Sequence, residues 1–223
     1  MFKTSAECEL RLITHSNCDD LMPVRAARVS FGKHDITGND VDRDNKLLKY
    51  LAQHQHLTPF EYQTTTFLIE CPLFIRSQIH RHRAFSYNEI SRRYTDENLE
   101  FWIPDQLRGQ AKSNKQASDG VITEYASPWQ FMSWQEDWDA QTADSLKLYR
   151  SMVEQGVARE QARAVLPQSL LTKFYMGGNL RSWAHFIELR RNEHAQYEVQ
   201  IIAGRIAAKL KELWPESCDA LGI

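Results

Sequence analysis

Residues 81–94 read RHRAFSYNEISRRY, and no other stretch of the chain is as informative. Its polar members are Arg81, His82, Arg83, Ser86, Asn88, Glu89, Ser91, Arg92 and Arg93. Arginine presents a planar fork of donors that matches phosphate and carboxylate oxygens, and here such forks lie beside hydroxyl and amide groups. The segment therefore predicts a site for an anionic ligand rich in heteroatoms, such as a nucleotide.

A charged run of this kind is more often a solvated surface loop. Two features favour a ligand site instead. Phe85 and Tyr87 stand between the donors, and Glu89 is the only acid among many bases. A carboxylate in that position is suited to orient the arginines and to accept hydrogen bonds from ligand N–H groups.

The length and the net charge of the chain limit the number of domains and the classes of ligand that we expect. With 223 residues, it is long enough for one sizeable core and short for two, so we predict a single domain over 1–223. Its 27 basic and 29 acidic residues nearly cancel, which argues against a generally basic nucleic-acid binder. The positive charge is concentrated over 76–93 and points to a small anion.

The four cysteines, Cys8, Cys18, Cys71 and Cys218, are scattered without metal-site spacing. Because the N-terminal residues do not resemble a signal peptide, we expect reduced thiols and a cytoplasmic protein. The longest apolar runs are too short to span a bilayer, so a membrane protein is not expected.

Histidines at 54, 56, 80 and 82 raise the question of a metal, since neutral imidazole is a common ligand. A cation would have to lie within a dense field of arginines, and the spacing gives no convincing ligand set. We therefore predict no metal, and we interpret His54 as a surface residue.

The pattern of apolar residues predicts few strands and many helices. Strands or extended pieces are predicted over 9–14, 64–71, 101–104 and 169–176, and helices over 21–31, 41–55, 72–82, 128–155, 158–166, 181–190 and 194–214. Asp19 and Asp20 are expected to cap the first helix, and Gly177-Gly178-Asn179 to end the last extended piece. Loops are expected over 32–40 and 109–120 and in the segment that follows His82. Without regular βαβ alternation, the class is α+β, with a small, mostly antiparallel sheet and long helices.

Residues 81–91 resemble the signature RHRxxSxNExS of the flavin-dependent thymidylate synthase family and fit it at every fixed position. Further similar segments occur in the order of that family: VRAARVSF (24–31), TPFE (58–61), RAVLP (163–167), NLRS (179–182), and LR (189–190) followed by HAQ (194–196). The resemblance covers most of the chain. The main departure is 109–129, which is longer and more polar than in compact members.

The resemblance implies an enzyme that converts dUMP to dTMP with the methylene group of 5,10-methylenetetrahydrofolate and with FAD reduced by NADPH. It implies a homotetramer whose active sites are shared between subunits. The FAD residues implied are His56, Thr58, Arg81, His82, Arg83, Glu89, Asn179, Leu180, Arg181 and His185. The dUMP residues implied are Gln78, Ile79, His80, Arg81, Glu89, Ile90, Ser91, Arg92, Arg93, Arg163 and Arg190. Arg190 is the implied catalytic residue, which stabilises the ionised pyrimidine.

For several other residues, we predict a structural role. Asn179 is also expected to cap the helix that follows it, and Arg159 and Arg191 are read as surface or structural residues. The aromatic residues Trp129, Phe131, Trp134 and Trp138 have a spacing typical of core packing along one long helix.

No cysteine looks placed to act as a nucleophile, and Ser91 is interpreted as a nucleotide-binding hydroxyl. The protein is thus expected to position reactants and stabilise charge while a cofactor supplies the chemistry. Three alternatives remain open: an NADPH oxidase that uses the same pocket, a nucleic-acid-binding module, and a structural helical protein.

Overall fold

The structure is a computed structural model that describes residues 2–33, 40–112, 117–130 and 133–223. Parts of the predicted loops over 32–40 and 109–120 lie outside the described residues, as does Phe131. The strands are β1 (Phe2–Lys3), β2 (Leu10–His15), β3 (Thr64–Pro72), β4 (Ser86–Glu89), β5 (Phe101–Trp102), β6 (Arg108–Gln110), β7 (Ser118–Val121) and β8 (Leu171–Asn179). The helices are α1 (Met22–Val29), α2 (Val41–Gln53), α3 (Leu73–Ile79), α4 (Trp134–Glu154), α5 (Arg159–Ala162), α6 (Leu180–Arg190), α7 (Tyr197–Leu213) and α8 (Pro215–Leu221), with 3-10 helices at Thr58–Tyr62 and Arg163–Val165.

A four-stranded antiparallel sheet has the strand order β2-β3-β8-β4. Strands β2 and β3 pair with Leu10 opposite Ile69 and Leu12 opposite Phe67, and the register shifts between Leu12 and Thr14. Two smaller pairs are β1 with β5, which is parallel, and β6 with β7, which is antiparallel. This sheet together with the helices confirms the predicted α+β class.

The chain forms two compact units that alternate along the sequence. The first unit comprises Met1–Glu9, Glu70–His80 and Glu89–Phe174, and the second comprises Leu10–Ile69, Arg81–Asn88 and Tyr175–Ile223. The expectation of one domain over 1–223 stays a prediction.

The first unit has a hydrophobic cluster of Phe101, Tyr149, Ala162, Leu166 and Leu170, all buried. A second cluster joins Cys8, Trp102 and Leu171, and the Trp102 indole nitrogen donates to the hydroxyl of Ser5 at 2.8 Å. Burial of these side chains is the main stabilising contribution to the unit. Beside them, α4 begins with a capping box in which Ser133 and Glu136 satisfy each other's backbone amides.

The second unit buries large side chains from strands and helices. Alternate residues of β3, Phe67 and Ile69, are fully buried because successive side chains of a strand point to opposite faces. The Trp183 ring of α6 meets the Phe67 ring edge to face at 5.3 Å. The helix α7 adds residues spaced for one helical face: Val199, Ile202, Ile206 and Leu210.

The prediction that Asp19 and Asp20 cap the first helix is wrong, because Leu21 is the N-cap residue of α1 and no side-chain hydrogen bond caps that helix. Asp19 accepts from the Leu21 amide at 3.0 Å, and it pairs with Arg25. Asp20 instead accepts from the amides of Glu216 and Ser217 at 2.6 and 2.8 Å, and so caps α8. The local sequence pattern does not predict α8, because the residue that caps it lies near the other end of the chain.

The glycine pair Gly177-Gly178 does not end the extended segment, contrary to the prediction, because β8 continues to Asn179. A Cβ at Gly178 would stand 2.6 Å from Cε1 of Phe85, a distance that real Cβ atoms do not adopt. Phe85 itself is buried and packs on Trp183 at 4.5 Å between ring centroids. The glycine is thus required for close packing inside a strand rather than for a turn.

We expect Gly178→Ala to lower the free energy of unfolding by about 1 to 3 kcal/mol, because the added methyl group overpacks against a ring that cannot retreat. Gly204→Ala in α7 is the matched control, since a Cβ there meets nothing within 4 Å. Replacing a helical glycine in open space should raise stability by about 0.5 to 1 kcal/mol. Denaturant unfolding of both variants tests this, and equal stabilities would contradict the packing argument.

Four further predictions need correction. Helix α3 ends at Ile79 rather than near 82, and residues 86–89 of the opening segment form β4 rather than a loop. The described parts of the predicted loop over 109–120 contain a β6 and β7 ribbon, whose register is held by backbone hydrogen bonds. Trp129 is 50% exposed and precedes α4, so its prediction as a core residue of that helix is wrong. Trp138 does pack against the cluster of Cys8, Trp102 and Leu171, as predicted, and with Trp134 it also lines an open apolar cavity.

Among the described residues, no helix combines the length and the apolar character that a membrane crossing requires.

Candidate functional site

The first unit contains an open cavity of about 660 Å³, which we call the arginine-lined cavity. Its charged and polar lining residues are Arg76, Glu89, Ser91, Arg92, Arg93, Glu160, Arg163, Gln168 and Thr172. Four arginines against two glutamates give this lining a net charge of +2. Guanidinium groups at this density favour an anionic ligand with several oxygens.

Short local structures bring these side chains together. Glu89 is the last residue of β4, and the amide of the next residue, Ile90, donates to the Lys173 carbonyl of β8 at 3.0 Å. Arg163 begins a 3-10 helix that closes when the Leu166 amide donates to its carbonyl. The structure thus brings Glu89, Ile90, Arg92, Arg93 and Arg163 to one cavity, and their contact with dUMP stays a prediction.

Local contacts fix the arginines of the 91–93 segment. Arg93 Nε donates to the Ser91 hydroxyl at 3.2 Å, and its guanidinium lies 5.2 Å from the centre of the Tyr94 ring. Arg92 Nη1 donates to the Glu97 carbonyl at 2.8 Å. Burial lowers the pKa of Arg92, although a guanidinium remains charged at neutral pH.

The Glu89 carboxylate is held from two sides. Thr172 of β8 donates its hydroxyl to Glu89 Oε1 at 2.7 Å, and Arg76 of α3 places Nε 3.3 Å from the same oxygen. Thr172 is only 4% exposed, so its hydroxyl has little access to water. The orientation of Glu89 at the cavity is therefore determined by the fold and not only by its own loop.

Five residues implied for dUMP do not line this cavity: Gln78, Ile79, His80, Arg81 and Arg190. Ile79 is fully buried in the core, and His80 packs edge to face on Phe174 at 4.9 Å. Burial lowers the pKa of His80, with Arg76 acting in the same direction and Glu89 opposing it. Gln78 lies beside them on α3 without being part of the lining. Their contact with a nucleotide stays a prediction.

The second unit has a cavity of about 640 Å³ at the beginning of α6, which we call the α6 cavity. Its polar lining residues are Gln55, Glu61, Asn179, Arg181, Ser182, His185 and Glu188, and the apolar ones include Leu57, Ala84, Ala220 and Leu221. Three residues implied for FAD, Asn179, Arg181 and His185, thus meet in one place.

The sequence around 179 makes a helix start at this cavity. Asn179 is extended, and its side-chain oxygen accepts from the Ser182 amide at 2.9 Å, which confirms the predicted cap. Leu180 is fully buried and its amide donates to the Gln63 carbonyl at 2.8 Å, so its implied contact with FAD stays a prediction. Arg181 Nη1 donates to Glu61 Oε1 at 2.6 Å, and this pair is exposed enough for a ligand to compete with it.

Arg190 and His82 are directly joined in the second unit. Arg190 Nε donates to His82 Nε2 at 2.9 Å, so the imidazole accepts and is neutral. The His82 ring packs on Phe186 at 4.9 Å, and Tyr87 donates its hydroxyl to the His82 carbonyl at 2.9 Å. Burial, and then Arg190 and His185, lower the pKa of His82 to about 4. Burial lowers the pKa of Arg190 as well, and Arg81 adds to this effect.

We expect His82 to titrate near pH 4 in the folded protein, well below the ordinary value of 6.5. The unfolded chain takes up this proton near pH 6.5, so acidification favours unfolding, and the contribution of neutral His82 to stability is lost as the pH falls from 6.5 towards 4. The pH dependence of the His82 ring resonances in NMR spectra tests this. A midpoint near 6.5 would show that the ring is solvated and not held by Arg190.

The other implied FAD residues are scattered. Arg81 and Arg83 are exposed, and Thr58 begins the 3-10 helix that follows Leu57. His56 is exposed, with its ring 6.3 Å from that of Tyr50. Glu89 belongs to the first unit, where it lines the arginine-lined cavity.

Sequence reasoning missed several lining residues, most notably Arg76 and Thr172 in the first unit and Glu61 in the second. Arg76 was visible as part of the positive region, and its spacing of three from Leu73 places both on one face of α3. Thr172 lies in an apolar run and gave no signal, because only the pairing of the sheet brings it to Glu89. No group of three or more His, Cys, Asp or Glu side chains within the described ranges could hold a metal ion.

An α+β fold with an arginine-lined cavity and a second polar cavity at a helix start is typical of an enzyme for anionic, nucleotide-like ligands. Residues 11–216 match the family model Thy1, described as thymidylate synthase complementing protein. The chain therefore belongs to this family, that of the flavin-dependent thymidylate synthases.

Relatives and solved structures agree. The chain is 42% identical to the flavin-dependent thymidylate synthase of Thermosipho melanesiensis over 201 residues, 88% of this chain and 83% of that protein. It is 40% identical to the enzyme of the same name from Thermus thermophilus over 197 residues, 88% of this chain and 69% of the other. The crystal structure of the UMP/dUMP methylase PolB from Streptomyces cacaoi bound with 5-Br dUMP superposes with a TM-score of 0.86 at 27% identity, covering 99% of this chain and 96% of PolB. The confirmed fold class is thus that of the family.

Proposed function

We propose that this protein is a flavin-dependent thymidylate synthase, which converts dUMP to dTMP with 5,10-methylenetetrahydrofolate as the methylene donor and FAD reduced by NADPH. The observation that carries the proposal is the arginine-lined cavity, in which residues of the family signature meet Arg163 from a distant segment. A nucleoside monophosphate is an anion of the size and polarity that this cavity suits.

Within that cavity, Arg163 and Arg93 bind the phosphate of dUMP, and Ser91 adds a hydroxyl. Arg93 and Ser91 are already in contact, so they present a joined pair of donors. Glu89 and the Ile90 backbone lie on the side where Thr172 holds the carboxylate, and there they take the uracil ring. Gln78, Ile79, His80, Arg81 and Arg92 complete the proposed dUMP set.

The α6 cavity suits a flavin by the chemistry of its donors. Asn179, Arg181 and His185 offer amide, guanidinium and imidazole groups at a helix N-terminus, which favours the phosphate oxygens of FAD. Its apolar lining residues offer surface to a ring system. With His56, Thr58, Arg81, His82, Arg83, Glu89 and Leu180, these residues form the proposed FAD set. Bound FAD supplies the reducing equivalents for methyl formation.

The cysteines do not suit the role of a nucleophile. Burial raises the pKa of Cys71 well above its ordinary value, and burial raises that of Cys218 to about 12. Cys8 is buried as well, and Cys18 lies 3.2 Å from the Ser16 hydroxyl. None of the four belongs to the lining of either cavity. The residues that remain at the site bind, orient and stabilise charge, which is the role expected where a cofactor performs the chemistry.

Arg190 is the proposed catalytic residue, and it offsets the negative charge that develops on the uracil ring. Its Nε is engaged by neutral His82, which orients the guanidinium without removing its charge. Arg190 is not part of the arginine-lined cavity. The resemblance to the family supports a homotetramer whose active sites are shared between subunits, and light scattering of the purified protein tests it.

The decisive experiment combines a spectrum with an isotope assay. The purified protein should be yellow, its flavin bands should shift with dUMP, and dUMP deuterated at C5 should lose the label as dTMP forms. NADPH oxidation without methyl transfer would indicate an oxidase instead. A colourless protein that binds RNA with a steep salt dependence would indicate a nucleic-acid-binding module. UMP is a useful comparison ligand because PolB is a UMP/dUMP methylase. A cytoplasmic location and a single domain stay predictions.

A further inference from the structure

We propose that Arg76 and Thr172 are positioning residues, which hold Glu89 so that its carboxylate accepts a hydrogen bond from the ring N–H of a uracil nucleotide in the arginine-lined cavity. This inference rests on the proposed function and deepens it. Neither residue belongs to the signature of the family segment, and both enter the cavity from other elements.

Thr172 provides the stronger of the two contacts. Its hydroxyl donates to Glu89 Oε1 at 2.7 Å from a strand position with 4% exposure. Because water has little access to this hydroxyl, its hydrogen bond to Glu89 has few competitors. The bond therefore holds Glu89 Oε1 in place. The second oxygen, Oε2, is then the one that remains for a ligand donor.

Arg76 provides charge at the same oxygen. Its Nε lies 3.3 Å from Glu89 Oε1 but makes no hydrogen bond, and this nitrogen is buried while about a third of the side chain, 32%, is exposed. The pair is therefore an ion contact inside the cavity lining rather than a solvated surface pair. It neutralises the acid that would otherwise repel an anionic nucleotide.

The charge of the cavity lining and the contacts of Glu89 together predict the effect of removing Arg76. Without Arg76, the lining loses a positive charge, falling from +2 to +1, and Glu89 keeps one partner only. An uncompensated carboxylate beside a phosphate-binding site raises the cost of binding an anion. With Arg76 and Thr172 in place, Glu89 accepts from the nucleotide without repelling it.

The test is a set of variants whose affinity for dUMP is measured through the spectral shift of bound flavin. Arg76→Gln and Thr172→Val should each weaken binding about tenfold, the loss expected for one hydrogen bond or ion contact at a charged group. Arg76→Lys and Thr172→Ser keep the charge and the hydroxyl, and they should recover most of the affinity. Arg159→Gln removes the same charge from an exposed pair with Asp96 in the same unit, and it should change little.

A double-mutant cycle separates positioning from direct contact. In a Glu89→Gln background, Arg76→Gln should cause a smaller loss than in the wild type, because the carboxylate that it positions is absent and only its contribution to the charge of the lining remains. An equal loss in both backgrounds overturns the inference, as does an equal loss in Arg159→Gln.

If Arg76→Gln does not fold, the comparison of Thr172→Val with Thr172→Ser replaces it. Equal affinity of these two variants for dUMP overturns the inference. A wild-type protein that forms dTMP while these variants behave as wild type disproves only the inference, whereas a wild-type protein that forms no dTMP disproves the proposed function.

Discussion

Replacing Arg190 by alanine is expected to abolish most dTMP formation while FAD remains bound. The guanidinium offsets charge that develops on the uracil ring, and such groups act mainly in the transition state. Loss of one preorganised donor at a developing charge costs about 3 to 4 kcal/mol, or roughly 10²- to 10³-fold in kcat. The measurement is dTMP formed per bound flavin at saturating dUMP.

The contact between Arg190 and His82 sharpens this expectation. Arg190 holds His82 through Nε, so the alanine variant frees the imidazole but leaves its packing on Phe186 intact. Flavin content should therefore change little. Arg190→Lys retains a charge without the planar fork and should recover only part of the turnover.

Arg191 is the matched control for Arg190. It is the neighbouring residue at the end of α6, it is exposed, and the resemblance gives it no counterpart. Arg191→Ala should turn over like the wild type. Unchanged dTMP formation by Arg190→Ala, or an equal loss in both variants, would refute the catalytic role.

Replacing Arg163 by glutamine is expected to raise the KM for dUMP by about 10- to 100-fold. A charge-assisted hydrogen bond contributes about 1.5 to 3 kcal/mol, and each 1.4 kcal/mol is tenfold in affinity. The binding of deoxyuridine, which lacks the phosphate, should be nearly unaffected. This difference identifies the phosphate as the group that Arg163 binds.

Arg159→Gln is again the control, because Arg159 lies four residues earlier and pairs with Asp96 at 3.4 Å outside the cavity lining. It removes the same formal charge from the same unit. A similar rise in KM for both variants would attribute the effect to general electrostatics. A loss of deoxyuridine affinity equal to that of dUMP would place Arg163 away from the phosphate.

Local patterns in the sequence predicted most elements of the fold. The apolar spacing in 41–55 and 194–214 gave α2 and α7, because helical periodicity and packing agree there. The pattern failed where distant residues decide the structure. Gly177-Gly178 has the composition of a breaker, yet both lie within β8, and at Gly178 the glycine is needed because Phe85 fills the space that a side chain would occupy. Asp20 caps a helix 196 residues away, which no local rule anticipates.

The candidate site likewise contains residues that could be predicted from the sequence and residues that could not. The family segment and Arg163 were predicted from the resemblance, and the structure brings Glu89, Ser91, Arg93 and Arg163 into one cavity. Thr172 could not be predicted, since a threonine in an apolar strand is common and its partner depends on strand pairing. Which residues contact a ligand cannot follow from periodicity, because a helix or strand face does not reveal what covers it.

The close approach of Phe85 to Gly178 has a consequence for the meaning of the unspecified positions in the signature. Phe85 occupies one of the two unspecified positions between RHR and S of the signature, so the motif alone treats it as free. Because no Cβ fits at Gly178 beside that ring, the two positions share a fixed volume. In this chain, a side chain at 178 should therefore be tolerated better when the one at 85 is smaller than phenylalanine. The apparent freedom of position 85 in the motif is thus conditional on the residue at 178.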